Sequence, residues 1–261
     1  MKSKITRLGG ASLLALFLGI SSAQAATLIG LTADGRLVKI DTATLAASAP
    51  MAITESDRVL GIDVRPADGK LYGIAGTGQL VTIDTATGKA TPASMLSTKV
   101  ALGDRPVVDF NPVADRLRVI GADGASLRID VQTGATTVDK PLVYDAADAN
   151  AGKKPAVAAG AYTNSAKGAK ATELFHVDGG TGALVLQSPP NDGILKTRGA
   201  VGVSSPTDVV MDIVQEDEGR NTVYLIAGTT LHTVDLATGK ATQVGAIKGM
   251  TGKLVDLAVT N

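Results

Sequence analysis

The sequence contains no cysteine and no tryptophan in 261 residues. Without thiols there is no disulfide, no thiol nucleophile and no thiolate metal ligand. Aromatics are scarce, with three Phe and four Tyr. The core must therefore be built from Val, Ile, Leu and Ala, and a sugar site walled by aromatic faces is disfavoured. Charge bias is absent as well, because basic and acidic residues number 25 each. That balance gives no concentrated basic face for nucleic acid and no case for anionic membranes. No Gly-x-Ser-x-Gly, phosphate-loop or zinc signature occurs. Beyond residue 25 no apolar run reaches the roughly 20 residues that span a bilayer, and no stretch shows helical periodicity.

What is present begins with an export signal. Lys2, Lys4 and Arg7 form a basic head, residues 13–20 an apolar run, and Ala23-Gln24-Ala25 a small-residue cleavage site. The expectation is a signal peptide over 1–25, cleaved after Ala25, and a periplasmic or secreted mature chain. Residues 26–261 contain no linker and are expected to form one domain, without membrane insertion.

That domain repeats itself. Residues 28–44 (LIGLTADGRLVKIDTAT), 71–89 (LYGIAGTGQLVTIDTATGK), 117–134 (LRVIGADGASLRIDVQTG) and 223–240 (VYLIAGTTLHTVDLATGK) share one plan. An apolar segment meets a short turn, then a second apolar segment closes on Asp and a Thr-rich turn. This is the pattern of β-hairpins. The closing residues are Asp41, Asp84, Asp130 and Asp235. The interval from Asp130 to Asp235 holds two periods, and residues 173–193 supply the divergent fifth copy.

A further apolar strand precedes each hairpin at 59–64, 107–110, 157–163 and 209–214. The first hairpin lacks one, and the chain instead ends with KLVDLAV at 253–259. The spacing predicts an all-β propeller of five four-stranded blades, closed by pairing of the C-terminal strand with the first hairpin. A linear solenoid is the alternative, but it has no use for a terminal strand of inner type. A sixth blade would have to hide in 141–156 or 194–206, and neither holds a full hairpin. Residues 144–155 are polar and small and read as a loop.

The repeats, with Tyr162-Thr163-Asn164 and Pro189-Pro190-Asn191-Asp192-Gly193, resemble an exported bacterial family catalogued as domain of unknown function 4394. The resemblance implies a secreted, propeller-like protein. It implies no reaction, so it transfers no catalytic residue.

The chemistry-bearing residues are mostly carboxylates. Asp63, Asp109, Asp212 and Asp256 stand at comparable places in four inner strands, and the fourth blade has Gly160-Ala161 there. Inner strands line a propeller's channel, so these carboxylates are expected to ring it. They are candidate Ca²⁺ ligands, since Ca²⁺ takes six to eight oxygens. Alternatively, each accepts backbone N–H groups, which a buried carboxylate requires. Asp41, Asp84, Asp130 and Asp235 suit turn capping. Asp145, Asp148 and Asn150 lack calcium-loop spacing and read as a solvated loop. His176 and His232 fall in different strands of different blades and form no pair. The fourth blade departs most from the repeat, so Tyr162, Asn164, Asn191 and Asp192 are the candidate ligand contacts.

The functional expectation is a non-enzymatic scaffold or binding propeller, its partner an unidentified small molecule or protein. Two alternatives stand beside it. One is a glycan or lactone hydrolase using channel carboxylates. The other is a Ca²⁺-stabilised binding propeller.

Overall fold

The structure, a computed structural model, describes residues 26–121, 123–217 and 219–260. The expected signal segment, 1–25, lies outside the described residues. Among the described residues there is no α-helix, and a single 3₁₀ turn occupies Pro190–Asp192.

Five sheets form a five-bladed β-propeller. Blade 1 begins with β1 (Thr27–Thr32) and β2 (Arg36–Asp41), and its outer strand is split into β3 (Ala46–Ala47) and β4 (Met51–Ala52). Blade 2 is β5 (Val59–Val64), β6 (Leu71–Ala75), β7 (Gln79–Ile83) and β8 (Ala90–Met95). Blade 3 is β9 (Val107–Asn111), β10 (Arg116–Ile120), β11 (Ser126–Ile129) and β12 (Thr136–Val138). Blade 4 comprises β13 (Val143–Tyr144), β14 (Val157–Tyr162), β15 (Leu174–Asp178), β16 (Ala183–Gln187) and β17 (Ile194–Ala200). Blade 5 is β18 (Val209–Asp217), β19 (Arg220–Ala227), β20 (Thr230–Val234) and β21 (Ala241–Ala246). The last strand, β22 (Leu254–Thr260), completes blade 1.

The expected closure is present. β22 runs antiparallel to β1, from Thr27 opposite Thr260 to Leu31 opposite Asp256, with a bulge between Leu31 and Thr32. The inner strands β22, β5, β9, β14 and β18 neighbour one another around the axis. The closure removes a free sheet edge without any covalent bond.

Blade 4 differs from the reading of 144–155 as all loop. Val143 and Tyr144 form a short strand parallel to β17, giving this blade a fifth strand. Asp145 caps a turn through the Ala147 N–H, and Asp148 accepts the Asn150 and Thr197 N–H groups.

The repeated Asp turns are built as expected. Asp41, Asp84, Asp130 and Asp235 each accept the N–H groups two and three residues ahead. The turn glycine matters where blades touch. At Gly134, with φ of 75°, a Cβ would stand 1.8 Å from the Met95 carbonyl oxygen of blade 2. Only glycine combines this φ with so close an approach.

The core lies in the seams between blades. Four seams are filled by large clusters of buried aliphatic residues with a few aromatics and a methionine. In the seam between blades 2 and 3 the Tyr72 and Phe110 rings meet edge to face at 5.4 Å. The seam between blades 3 and 4 has a smaller apolar cluster, including Val107, Ile120, Val185 and Leu195. Burying each Leu, Val or Ile is worth about 1.5–3 kcal/mol, so these seams carry the fold without disulfides.

Candidate functional site at the propeller axis

Strand register fixes how the axial carboxylates relate. Asp63 lies opposite Tyr72, Asp109 opposite Arg118 and Asp212 opposite Tyr224. These three are equivalent points of blades 2, 3 and 5. In blade 4 the point is Ala161, opposite Phe175, and in blade 1 it is Ala258, opposite Ile29. Asp256 therefore sits two residues earlier on its strand, nearer the end where inner strands begin. Its counterpart in blade 2 is Gly61, where an added Cβ would lie 3.0 Å from Asp256 Oδ2.

Each carboxylate reaches the next blade by one rule. It accepts the N–H of the residue just past its own counterpart there. Asp256 Oδ2 accepts from Ile62 (2.8 Å), Asp63 Oδ2 from Phe110 (2.6 Å), Asp109 Oδ1 from Tyr162 (2.9 Å) and Asp212 Oδ2 from Val259 (2.6 Å). Asp63, Asp212 and Asp256 also accept the N–H of the residue that follows each in sequence. Asp109 does not, because Asp63 takes the Phe110 N–H. Blade 4 has no such link to blade 5, since Ala161 offers no oxygen. There Asn164 and Asn221 pair reciprocally: the Asn164 N–H donates to Asn221 Oδ1, and Asn221 Nδ2 donates to Asn164 Oδ1.

The same geometry crowds like charges in a dry place. Burial pushes all four carboxyls upward. Asp212 rises to about 7. Asp63 and Asp109 lie well above the usual carboxylate range, with neighbouring carboxylates adding to the effect of burial. Ligand oxygens of Asp63, Asp109 and Asp212 all lie within 4.8 Å of one another. Such a trio either shares protons or holds a hard cation. The chemistry of the set suits Ca²⁺, with backbone oxygens or water needed to complete six to eight ligands. Asp256 stands apart from this trio.

Below the trio the channel widens into a cavity of about 250 Å³. It is lined by Asp63, Arg65, Ser165, Lys167, Asp212 and Thr260, among others. Ser165 and Lys167 belong to the long turn between β14 and β15, which follows Asn164. Arg65 is held by Asp115 and Asp68 and lies over the Tyr72 ring. At the opposite end, Arg105 of the loop before β9 donates to the Thr207 and Val209 carbonyls of blade 5.

The four candidate ligand contacts do not converge on one cavity. The Tyr162 hydroxyl and Asn191 Oδ1 both accept from Arg118, at 3.2 and 2.8 Å. Asp192 pairs with Lys140 at the surface, at 2.7 Å. Asn164 binds Asn221 and the Ala171 carbonyl. His176 Nε2 meets Gln187 Oε1, burial lowers the imidazole to about 4, and Nδ1 has no partner. His232 stands apart, against the Thr230 carbonyl. Sequence reading missed Arg118, because an arginine within a strand resembles an ordinary solvent-facing residue.

A family described as "Domain of unknown function (DUF4394)" matches residues 36–258. No curated protein matches the chain. A solved structure of a protein of unknown function from Bacteroides thetaiotaomicron superposes with a TM-score of 0.50 at 15% identity, covering 89% of this chain and 61% of that one. An auxiliary nutrient binding protein from Bacteroides ovatus gives a TM-score of 0.43 at 13% identity, covering 82% and 57%. The chain thus spans less than two thirds of either protein.

Proposed function

The chain belongs to this family of unknown function, and from that premise we propose that it is an exported, non-enzymatic propeller that binds a small polar molecule at the lower mouth of its channel. The observation that carries the reading is the use of the axial carboxylates. Each accepts a backbone N–H of the neighbouring blade, so their first duty is to join blades. An acid–base pair for hydrolysis needs a carboxyl free to reach substrate. The cavity beneath them offers hydrogen-bonding groups from blades 1, 2, 4 and 5 around one concave space, as ligand sites do. Its long cover, the turn after Asn164, comes from the blade that departs most from the repeat.

The test has two arms. Purified protein is assayed against chromogenic glycosides and lactones, and screened against small polar metabolites by thermal shift. The expected result is no turnover, with shifts that shrink in Lys167→Ala. Turnover abolished by Asp63→Ala or Asp212→Ala would establish the hydrolase instead.

A second reading rests on the 4.8 Å spacing of the Asp63, Asp109 and Asp212 oxygens. Under it the trio holds Ca²⁺ and stabilises the ring. An ion bound to the folded state must raise the melting temperature. Equal melting in millimolar Ca²⁺ and in chelator at pH 8 rejects it.

A further inference from the structure

Each seam has one characteristic pair at the same height. The first member lies on the second strand of one blade, and the second member on the inner strand of the next. Register identifies the pairs as Ile29 with Val64, Tyr72 with Phe110, Arg118 with Tyr162, Phe175 with Ile213, and Tyr224 with Val259. Four are apolar or aromatic. One places a guanidinium, 1% exposed, against a phenol that is also 1% exposed.

Arg118 is fully engaged only in this seam. Within its own blade it donates to Ser126 Oγ at 2.8 Å and Asp139 Oδ2 at 2.6 Å. Across the seam it donates to the Tyr162 hydroxyl and to Asn191 Oδ1. Asp139 also takes two bonds from Arg128, at 2.8 Å each. The receiving face of blade 4 is altered to match. His176 stands where blade 2 has Gly73, and Gly160 stands opposite it. An added Cβ at Gly160 would fall 2.0 Å from His176 Nδ1. Gln187 and the Pro190 carbonyl extend the polar face to Asn191.

We propose that the Arg118 seam is a registry key that makes blade 4 the only neighbour blade 3 accepts, and so selects the closed five-bladed monomer over rings with exchanged or skipped blades. The repeats make the need concrete. Their hairpins are near copies, and the ring is closed without a covalent bond, so apolar seams by themselves discriminate poorly. Against the inner strand of any other blade, Arg118 would meet Val64, Phe110, Ile213 or Val259, none of which accepts a side-chain hydrogen bond. There it would keep Asp139 and Ser126 of its own blade but lose both cross-seam acceptors, and N–H groups of a buried guanidinium left unsatisfied are costly. Fixing register is the best-supported use of a buried polar group among apolar repeats.

The test is refolding from denaturant at several protein concentrations, read by size-exclusion chromatography with light scattering. Tyr162→Phe/Asn191→Ala removes both cross-seam acceptors and leaves Arg118 with Asp139 and Ser126, so it is expected to fold. Arg118→Leu removes the key outright. Phe175→Leu, in the apolar seam between blades 4 and 5, controls for lost stability. The expected result is a rise of about tenfold or more in dimers and larger species for both Arg118-seam variants: losing a single charge-assisted hydrogen bond gives about that factor in discrimination, and two are lost. Phe175→Leu should refold to monomer like the unaltered protein. Monomeric refolding of Tyr162→Phe/Asn191→Ala, or an equal rise in Phe175→Leu, would overturn the proposal even if Arg118→Leu fails to fold.

Discussion

Asp212 Oδ2 accepts the Val259 N–H at 2.6 Å, so a side chain of the fifth blade holds the strand that closes the first. The other oxygen takes the N–H of Ile213 at 2.6 Å. Asp212→Ala leaves both donors buried without acceptors. The expected cost is about 2–6 kcal/mol, at about 1–3 kcal/mol for each unsatisfied buried group. Urea unfolding should show a lower midpoint with an unchanged slope.

Stability should also fall as pH rises through neutrality. The folded pKa of Asp212, about 7, exceeds its ordinary 3.8, so between these values the folded state binds more protons than the unfolded state. Its contribution is therefore complete below pH 3.8 and lost as pH rises through about 7. Asp63, Asp109 and Asp256 shift the same way, so they add to the same loss of stability as pH rises. The turn carboxylates Asp41, Asp84, Asp130 and Asp235 shift downward, so their contribution is lost only on acidification below the ordinary carboxylate range. In chelator, the melting temperature should be higher at pH 5 than at pH 8. The opposite slope would contradict the proton-loaded axis.

Gly160→Ala should destabilise the fold by about 1–3 kcal/mol, the range for overpacking. The new methyl group collides with the His176 ring. His176→Ala should relieve the collision, so the double variant should be more stable than additivity allows. A purely additive cycle would mean that the two positions do not compete for the same space.

Truncation after Gly252 removes β22, with Leu254, Val255, Leu257, Ala258 and Val259 all buried. Lost burial alone amounts to roughly 10 kcal/mol, comparable to the whole stability of an ordinary domain. Circular dichroism should show no cooperative melting. A truncated chain that melts like the full one would refute the closed ring.

Much of this architecture is legible in the residues. The hairpin repeats give the blade count, and KLVDLAV at 253–259 identifies the closing strand, because period-2 apolar pattern and turn residues are local signals. The axial Asp set is only partly legible. Asp256 looks equivalent to Asp63 in its strand, but its place opposite Leu31 rather than Ile29 is set by pairing with β1, and register across 225 residues leaves no local trace. The strand at Val143–Tyr144 is too short to carry a pattern. Arg118 was invisible as a buried residue because its partners at Asp139, Tyr162 and Asn191 lie 21, 44 and 73 positions away.

The pairing of β1 with β22 also sets the order of events when the chain is made. β1 emerges before every other strand described, and its partner β22 after all of them. Until residue 260 is available, blade 1 waits with an open edge, a surface prone to wrong pairing. The native ring is therefore a late product. Four blades can gather as they appear, but the molecule becomes one cooperative body only when its newest strand returns to one of its oldest.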